Sequence, residues 1–244
     1  GHPERAWRAA AMWRTSWLSR EVIALPAFMA TLAAWGAAHW LAWPGTRVIG
    51  AVAALACLAL YVCTGMVYAS IRFLQEWASP LTLVNYLLIG CASGSTLAAL
   101  LASLRAPAIA PTLALAALVL TLAALAGRAA SLVRNAGLRP RSTLQSAIGI
   151  KHPVIRQRAQ GFMGGSFNTR EFFHGRGAAA LRGVKWFFLA VGFVLPALLL
   201  AAAPAASGPL LVAVLLQFAG LLAERWFFLA QANHPQNLYY QAIS

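Results

Sequence analysis

Acidic residues are scarce in this chain, with five Asp or Glu in 244 positions, and charged residues of both signs make up only 10%. A soluble domain carries about 25%. Neither a nucleophile triad nor a pair of carboxylates appears, which speaks against a hydrolase. Cysteine is equally sparse: Cys57, Cys63 and Cys91 fall inside apolar segments without CxxC or metal-ligand spacing and read as small hydrophobes. His39 is the one histidine within an apolar segment, the other four lying in the terminal arm, a basic loop and the tail. A haem held between helices by two histidines needs a facing pair, so neither haem nor metal is expected. His39 is expected to hydrogen-bond near one interface. The chain opens on Gly1 rather than Met and has no secretory signal pattern, so it is expected to begin partway through a longer protein.

What the chain has in excess is apolar surface: 61% hydrophobic residues and a mean hydropathy of +0.69. Six runs are long enough to cross a bilayer as helices, at roughly 22–42, 48–70, 83–104, 111–133, 183–203 and 209–231. Proline and glycine punctuate the gaps, at Trp43-Pro44-Gly45, Ser79-Pro80, Ala106-Pro107, Pro204 and Gly208-Pro209. Lipid offers no partner for open backbone groups, and the runs are too long for barrel strands, so the expected fold is all-α. The reading is a single transmembrane anchor domain over 1–244. It has an interfacial arm (1–21), four spans (22–133), a basic loop (134–182), two spans (183–231) and a tail (232–244).

The formal net charge of +14 would suggest nucleic acid in a soluble protein. Here the charges cluster at the ends of apolar runs, so topology and contact with anionic lipid headgroups account for them, and no nucleic-acid partner is expected. With six spans, the arm, the 71–82 connection, the basic loop and the tail share one side. That side carries sixteen Lys and Arg, against two (Arg47 and Arg105) on the other. The positive-inside rule puts the basic side in the cytoplasm. Arg128 remains inside the fourth run, where it is expected to snorkel toward the basic end.

Four segments on the basic side carry chemistry. In the arm, Trp7, Trp13 and Trp17 alternate with Arg8, Arg14 and Arg20, as suits a chain lying at headgroup level. Ser19 is placed to cap a helix beginning at Glu21, whose carboxylate then complements the macrodipole. Equally, Glu21 reads as an ionisable group at the membrane boundary, able to take a proton or hydrogen bond from a ligand entering through lipid. In the connection, Arg72 and Glu76 stand at helical i, i+4 spacing, and the segment through Trp77 reads as an amphipathic connector, a site wall or a docking surface.

In the basic loop, the phrase Gly164-Gly165-Ser166-Phe167-Asn168-Thr169-Arg170-Glu171-Phe172-Phe173-His174-Gly175 has capping-box logic, with a short helix expected from Thr169 to Gly175. It reads as a solvated loop that sets topology or as a folded docking element built on Asn168, Arg170, Glu171 and His174. In the tail, Glu224-Arg225-Trp226 precedes His234-Pro235 and two tyrosines, and the proline stops the last helix.

Together these segments resemble the dimethyl sulfoxide reductase anchor subunit family (DmsC). The arm ending Ser16-Trp17-Leu18-Ser19-Arg20-Glu21 is similar to that family's Ser-x-x-Ser-x-Glu element. The Tyr68, Ser70-Ile71, Trp77 and Pro80 run is similar to its central connector, and the basic-loop phrase and the tail to a subgroup. Family members have eight spans, and Gly1-His2-Pro3 resembles the end of a His-Leu-Gly-x-Pro element, so the resemblance implies two further helices and a histidine upstream.

It implies a quinone or quinol, menaquinone or ubiquinone, bound with the help of Glu21, with Arg20 and Arg14 as cationic support and Arg72 and Trp77 as walls. It also implies electron exchange with an iron–sulfur subunit that serves a molybdopterin catalytic subunit. Dimethyl sulfoxide reductases work outside the cytoplasm and sulfite-oxidising relatives inside it, so the charge count leans to the latter. A secondary transporter is the competing class, but Asn85, Thr121 and Gln217 are too scattered to form its mid-span site. In a purely structural anchor, Glu21 would be silent.

Overall fold

The computed structural model describes residues 3–139, 143–155 and 178–232. The elements are a 3-10 segment Pro3–Ala10, then helices α1 (Trp17–Trp40), α2 (Thr46–Ala69), α3 (Pro80–Arg105) and α4 (Ala110–Ala136). The short α5 (Leu144–Ile148) follows, then α6 (Ala178–Leu189), a π turn Ala190–Val194, α7 (Leu195–Ala202) and α8 (Ser207–Ala230). Among the described residues, six helical segments are long and apolar enough to cross a membrane, with α6, the π turn and α7 forming one of them. The protein is an all-α, multi-pass membrane bundle, as its hydropathy requires.

Several boundaries differ from the sequence expectation for a local reason. The first span begins at Trp17 because Ser16, not Ser19, is its N-cap: Ser16 is extended (φ −110°, ψ 125°) and its Oγ accepts from the Ser19 amide at 3.4 Å. Two serines three residues apart compete for one cap, and the earlier wins because Ser19 is itself helical and buried. Glu21 therefore lies in the second helical turn rather than at the helix start. The 70–79 connection is a series of turns rather than a helix, so the helical spacing of Arg72 and Glu76 does not operate. The fifth span contains a π turn that the apolar pattern did not announce. Pro196 has no N–H to give to the carbonyl four residues back, and Leu195 N–H instead reaches the Ala190 carbonyl.

The chain forms two compact units. One comprises Gly1–Ile71 with Ser79–Leu87. Its centre is the antiparallel α1–α2 hairpin, closed by the Trp43-Pro44-Gly45 turn, in which Gly45 takes φ +89°. A side chain at Gly50 would meet the Trp35 indole at 2.8 Å, and one at Gly65 would meet Leu83 at 3.0 Å, so both glycines mark close packing. Tyr68 stacks on Tyr86 with ring centroids 5.8 Å apart. His39 meets Trp35 edge-on at 5.0 Å. Cys57, Cys63 and Cys91 are free and half-buried.

The other unit comprises Arg72–Ala78 with Leu88–Ser244. Its core has two clusters, one around Phe188, Phe193 and Phe227, the other around Ala114, Ala117, Leu200 and Leu210. On α4 the buried positions are Ala110, Ala114, Ala117, Thr121, Ala124, Arg128 and Ser131, spaced by three or four residues. On α8 the series Leu210, Ala213, Gln217, Gly220, Glu224 and Phe227 does the same. Such seams of small residues let helices approach closely where no hydrophobic drive separates lipid from protein. The closest approach is Gly192 to Gly220: a side-chain carbon on Gly220 would overlap the Gly192 backbone. The outward positions are apolar and exposed, among them Leu101, Leu115, Leu215 and Phe218. That is the pattern of a surface solvated by acyl chains.

Candidate functional site

The α1–α2 hairpin builds the first candidate site. Glu21 is half-buried on α1, and the Thr64 hydroxyl of α2 donates to its Oε1 at 2.5 Å. A hydroxyl donating to a carboxylate is a charge-assisted bond, shorter and stronger than a neutral one. The pairs 21/64 and 35/50, the second joining the Trp35 side chain to the Gly50 backbone, share one midpoint, between Ala42 and Trp43 in the connection from α1 to α2. One hairpin register thus fixes both pairs.

Arg20 has a different task from its neighbour. Its Nε donates to the Trp13 carbonyl at 2.9 Å and its Nη2 to the Arg14 carbonyl at 2.8 Å, and the guanidinium lies 4.1 Å over the Trp17 ring. Arg20 therefore staples the arm to α1. Arg14 is exposed and lies 5.4 Å over the Trp13 ring, and Arg8 repeats the arrangement with Trp7 at 5.6 Å. In this unit Glu21, Arg20 and Arg14 are found with a partner that sequence reasoning missed, Thr64. The signal was present in the turn position, since antiparallel helices pair residues equidistant from their turn.

Arg72 and Trp77 belong to the second unit. Arg72 is exposed. Trp77 is buried, stacked on Phe228 at 5.3 Å, and its Nε1 donates to the Phe228 carbonyl at 2.9 Å. Its indole is thus fixed against α8. Asn168, Arg170, Glu171 and His174, with the short helix expected at 169–175, lie outside the described residues.

The second unit also contains a buried ion cluster. Arg128 Nε lies 2.7 Å from Glu224 Oε1, the two side chains being 2% and 0% exposed. Arg225, partly exposed, holds the other carboxylate oxygen at 2.6 Å through both Nε and Nη2. Arg128 also lies 5.5 Å from the Phe188 ring and 5.9 Å from the Phe227 ring. The sequence expectation of a snorkelling Arg128 is therefore corrected: it turns inward, because a carboxylate one helix away compensates its charge better than a reach to the interface. One heptad away on both helices, Gln217 Nε2 donates to Thr121 Oγ1 at 3.3 Å. These two polar rungs, spaced alike on α4 and α8, fix the parallel register of the two helices. The signal in the sequence was a lone arginine and a lone glutamate in separate apolar runs, each needing the other.

Among the described residues, six helices long and apolar enough to cross a membrane define a multi-pass membrane protein. Comparison with known proteins agrees. The family model described as DMSO reductase anchor subunit (DmsC) matches residues 1–240. The sulfite dehydrogenase C-subunit of Allochromatium vinosum is 49% identical over 259 residues, an alignment covering 100% of this chain and 80% of that protein. No solved structure gives a significant match. This chain belongs to the DMSO reductase anchor subunit family. It is a membrane subunit of an oxidoreductase complex and associates with catalytic subunits of that complex.

Proposed function

We propose that this chain is the quinone-reactive anchor of a molybdopterin oxidoreductase complex, with Glu21 as the proton-exchanging group. The observation that carries this reading is the Glu21–Thr64 pair. Among the described residues, the spanning helices hold two carboxylates, Glu21 and Glu224. Glu224 is fully buried and committed to two arginines, whereas Glu21 is half-buried, with the Thr64 hydroxyl donating to one of its oxygens. Glu21 is thus the carboxylate able to exchange a proton with a ligand arriving through lipid.

Quinone chemistry couples two electrons to two protons: reduction takes both up, and oxidation of the quinol gives both back. In this reading Glu21 passes a proton to, or takes one from, the quinone oxygen, and Thr64 holds the carboxylate in place while it does so. Arg20, which holds the Trp13 and Arg14 carbonyls, and Arg14 give the site neighbouring cationic support. The electrons pass to or from an iron–sulfur subunit serving a molybdopterin catalytic subunit, and Asn168, Arg170, Glu171 and His174 take part in docking. The charge asymmetry favours a cytoplasmic docking side in a bacterial inner membrane. The likeness to a sulfite dehydrogenase component favours electron flow from sulfite into quinone.

Replacing Glu21 by Gln in the assembled complex tests the assignment. Quinone-dependent turnover should fall about 100-fold or more, the scale of a lost proton-transfer group. Turnover with an artificial electron carrier and the content of soluble subunits should remain. Normal quinone-dependent turnover would remove Glu21 from the mechanism.

A further inference from the structure

An anchor subunit must hold its soluble partners somewhere, and the connector between α2 and α3 has the build of a contact point. Residues 72–78 are not helical, yet α4 holds their main chain and α8 holds the Trp77 side chain, both helices being of the same unit. Arg134 Nη2 at the end of α4 donates to the Gln75 carbonyl at 3.0 Å, and Asn135 Nδ2 donates to the Glu76 carbonyl at 3.4 Å. Arg134 Nη1 is itself held by Asn135 Oδ1 at 2.8 Å. From α8, the Phe228 carbonyl takes the Trp77 indole N–H, and its ring takes the Trp77 face. Arg225 lies 5.0 Å over the other partner of that stack, Phe228, while gripping buried Glu224. The connector is therefore tied through Trp77, Phe228 and Arg225 into the ion cluster at the unit's core.

This anchoring buries Leu74 and Trp77, 3% and 8% exposed, and leaves Arg72 and Phe73 outward, Phe73 at 59%. An arginine beside a large aromatic on a rigid turn is the residue chemistry of an interface hot spot. A rigid presentation also matters energetically, because a contact segment already ordered loses less entropy on binding. The turn around Trp43, at the other end of α2, has an exposed aromatic as well, but the charge pattern of the sequence assigns its side two cations in all, Arg47 and Arg105, against sixteen on the connector's side. Charge therefore selects the connector for a partner of opposite sign.

We infer that the Arg72–Phe73 knuckle is a docking point for an acidic surface on the soluble electron-transferring subunit of the complex. This rests on the reading of the chain as an electron-exchanging anchor. Arg72 pairs with carboxylates at the rim of that surface, and Phe73 fills an apolar recess inside them. Exposed charge pairs are screened by salt, whereas the buried aromatic contact is not, so the two residues separate by their salt response.

The test uses membranes carrying the whole complex, washed with rising salt, with retained soluble subunits and the amount of anchor both measured. Arg72→Glu should release the soluble subunits at lower salt than wild type, and Arg72→Lys should not. Phe73→Ala should weaken retention at every salt concentration. The double variant, purified in detergent, should bind the soluble subunits about 10-fold or more weakly. Wild-type retention and affinity in the double variant would overturn the proposal. So would unchanged retention combined with altered binding of the purified anchor to vesicles of anionic phospholipid, which would assign the knuckle to the headgroup layer. A Glu21→Gln complex run in parallel separates the two readings. Normal quinone turnover there, with release in the Arg72 and Phe73 variants, would sink the quinone site and leave the docking point standing.

Discussion

The Thr64 hydroxyl reaches the Glu21 carboxylate at 2.5 Å across the α1–α2 hairpin, and the same register seats the Trp35 indole against Gly50. A carboxylate near the start of an apolar helix would otherwise face lipid or a ligand with its orientation unfixed. The neighbouring helix supplies a donor that fixes it. The hairpin thus holds the Glu21 carboxylate in one orientation, which is what the proposed proton-exchanging role would require of it.

Thr64→Val removes that donor while keeping the side-chain shape. Bonds to charged groups contribute about 1.5–3 kcal/mol, so quinone-dependent turnover should fall about 10-fold or more. Thr64→Ser should retain most of it. Steady-state kinetics of the assembled complex with a short-chain quinone check this, and equal rates for Val and Ser would mean that the hydroxyl has no role.

Breaking the buried ion pair should be costly. Arg128→Met leaves Glu224 facing Arg225 alone at 0% exposure, and Glu224→Gln takes the compensating charge from Arg128 among its phenylalanines. Either should destabilise the anchor by about 3–5 kcal/mol. The paired change Arg128→Met with Glu224→Leu should recover part of that loss. Thermal unfolding of the purified anchor in detergent measures all three. Additive losses in the double variant would contradict a direct pair.

Gly220 and Gly192 make an asymmetric prediction. A methyl on Gly220 overlaps the Gly192 backbone, whereas one on Gly192 comes no nearer than 3.2 Å to Gly220. Gly220→Ala should therefore lower the melting temperature more than Gly192→Ala. Gly94→Ala, where nothing lies within 4 Å, should leave it unchanged or raise it. The order of the three melting points is the readout.

Arg20→Ala should free the arm without unfolding the helices, because the guanidinium holds the Trp13 and Arg14 carbonyls rather than the core. Cleavage within residues 5–15 by added trypsin should become faster, while the α1–α2 hairpin stays protected. An unchanged cleavage rate would show that the arm is held by its tryptophans alone.

Much of this protein is written in its one-dimensional pattern. The length of each apolar run and the prolines and glycines between runs determine six spanning helices, since lipid admits no other state for unpaired backbone. The asymmetry of lysine and arginine about those runs carries an expectation of topology, and the Ser16-to-Glu21 element together with the Tyr68-to-Pro80 run carries the family. Only the tertiary structure decided who meets whom. The choice of Ser16 over Ser19 as cap depends on which serine is free of the helix. The partner of Glu21 depends on the hairpin register, and the inward turn of Arg128 on Glu224 arriving from a helix almost a hundred residues away. Charges in an apolar run declare that a partner is needed, but hydropathy is blind to identity, and packing alone brings the two together.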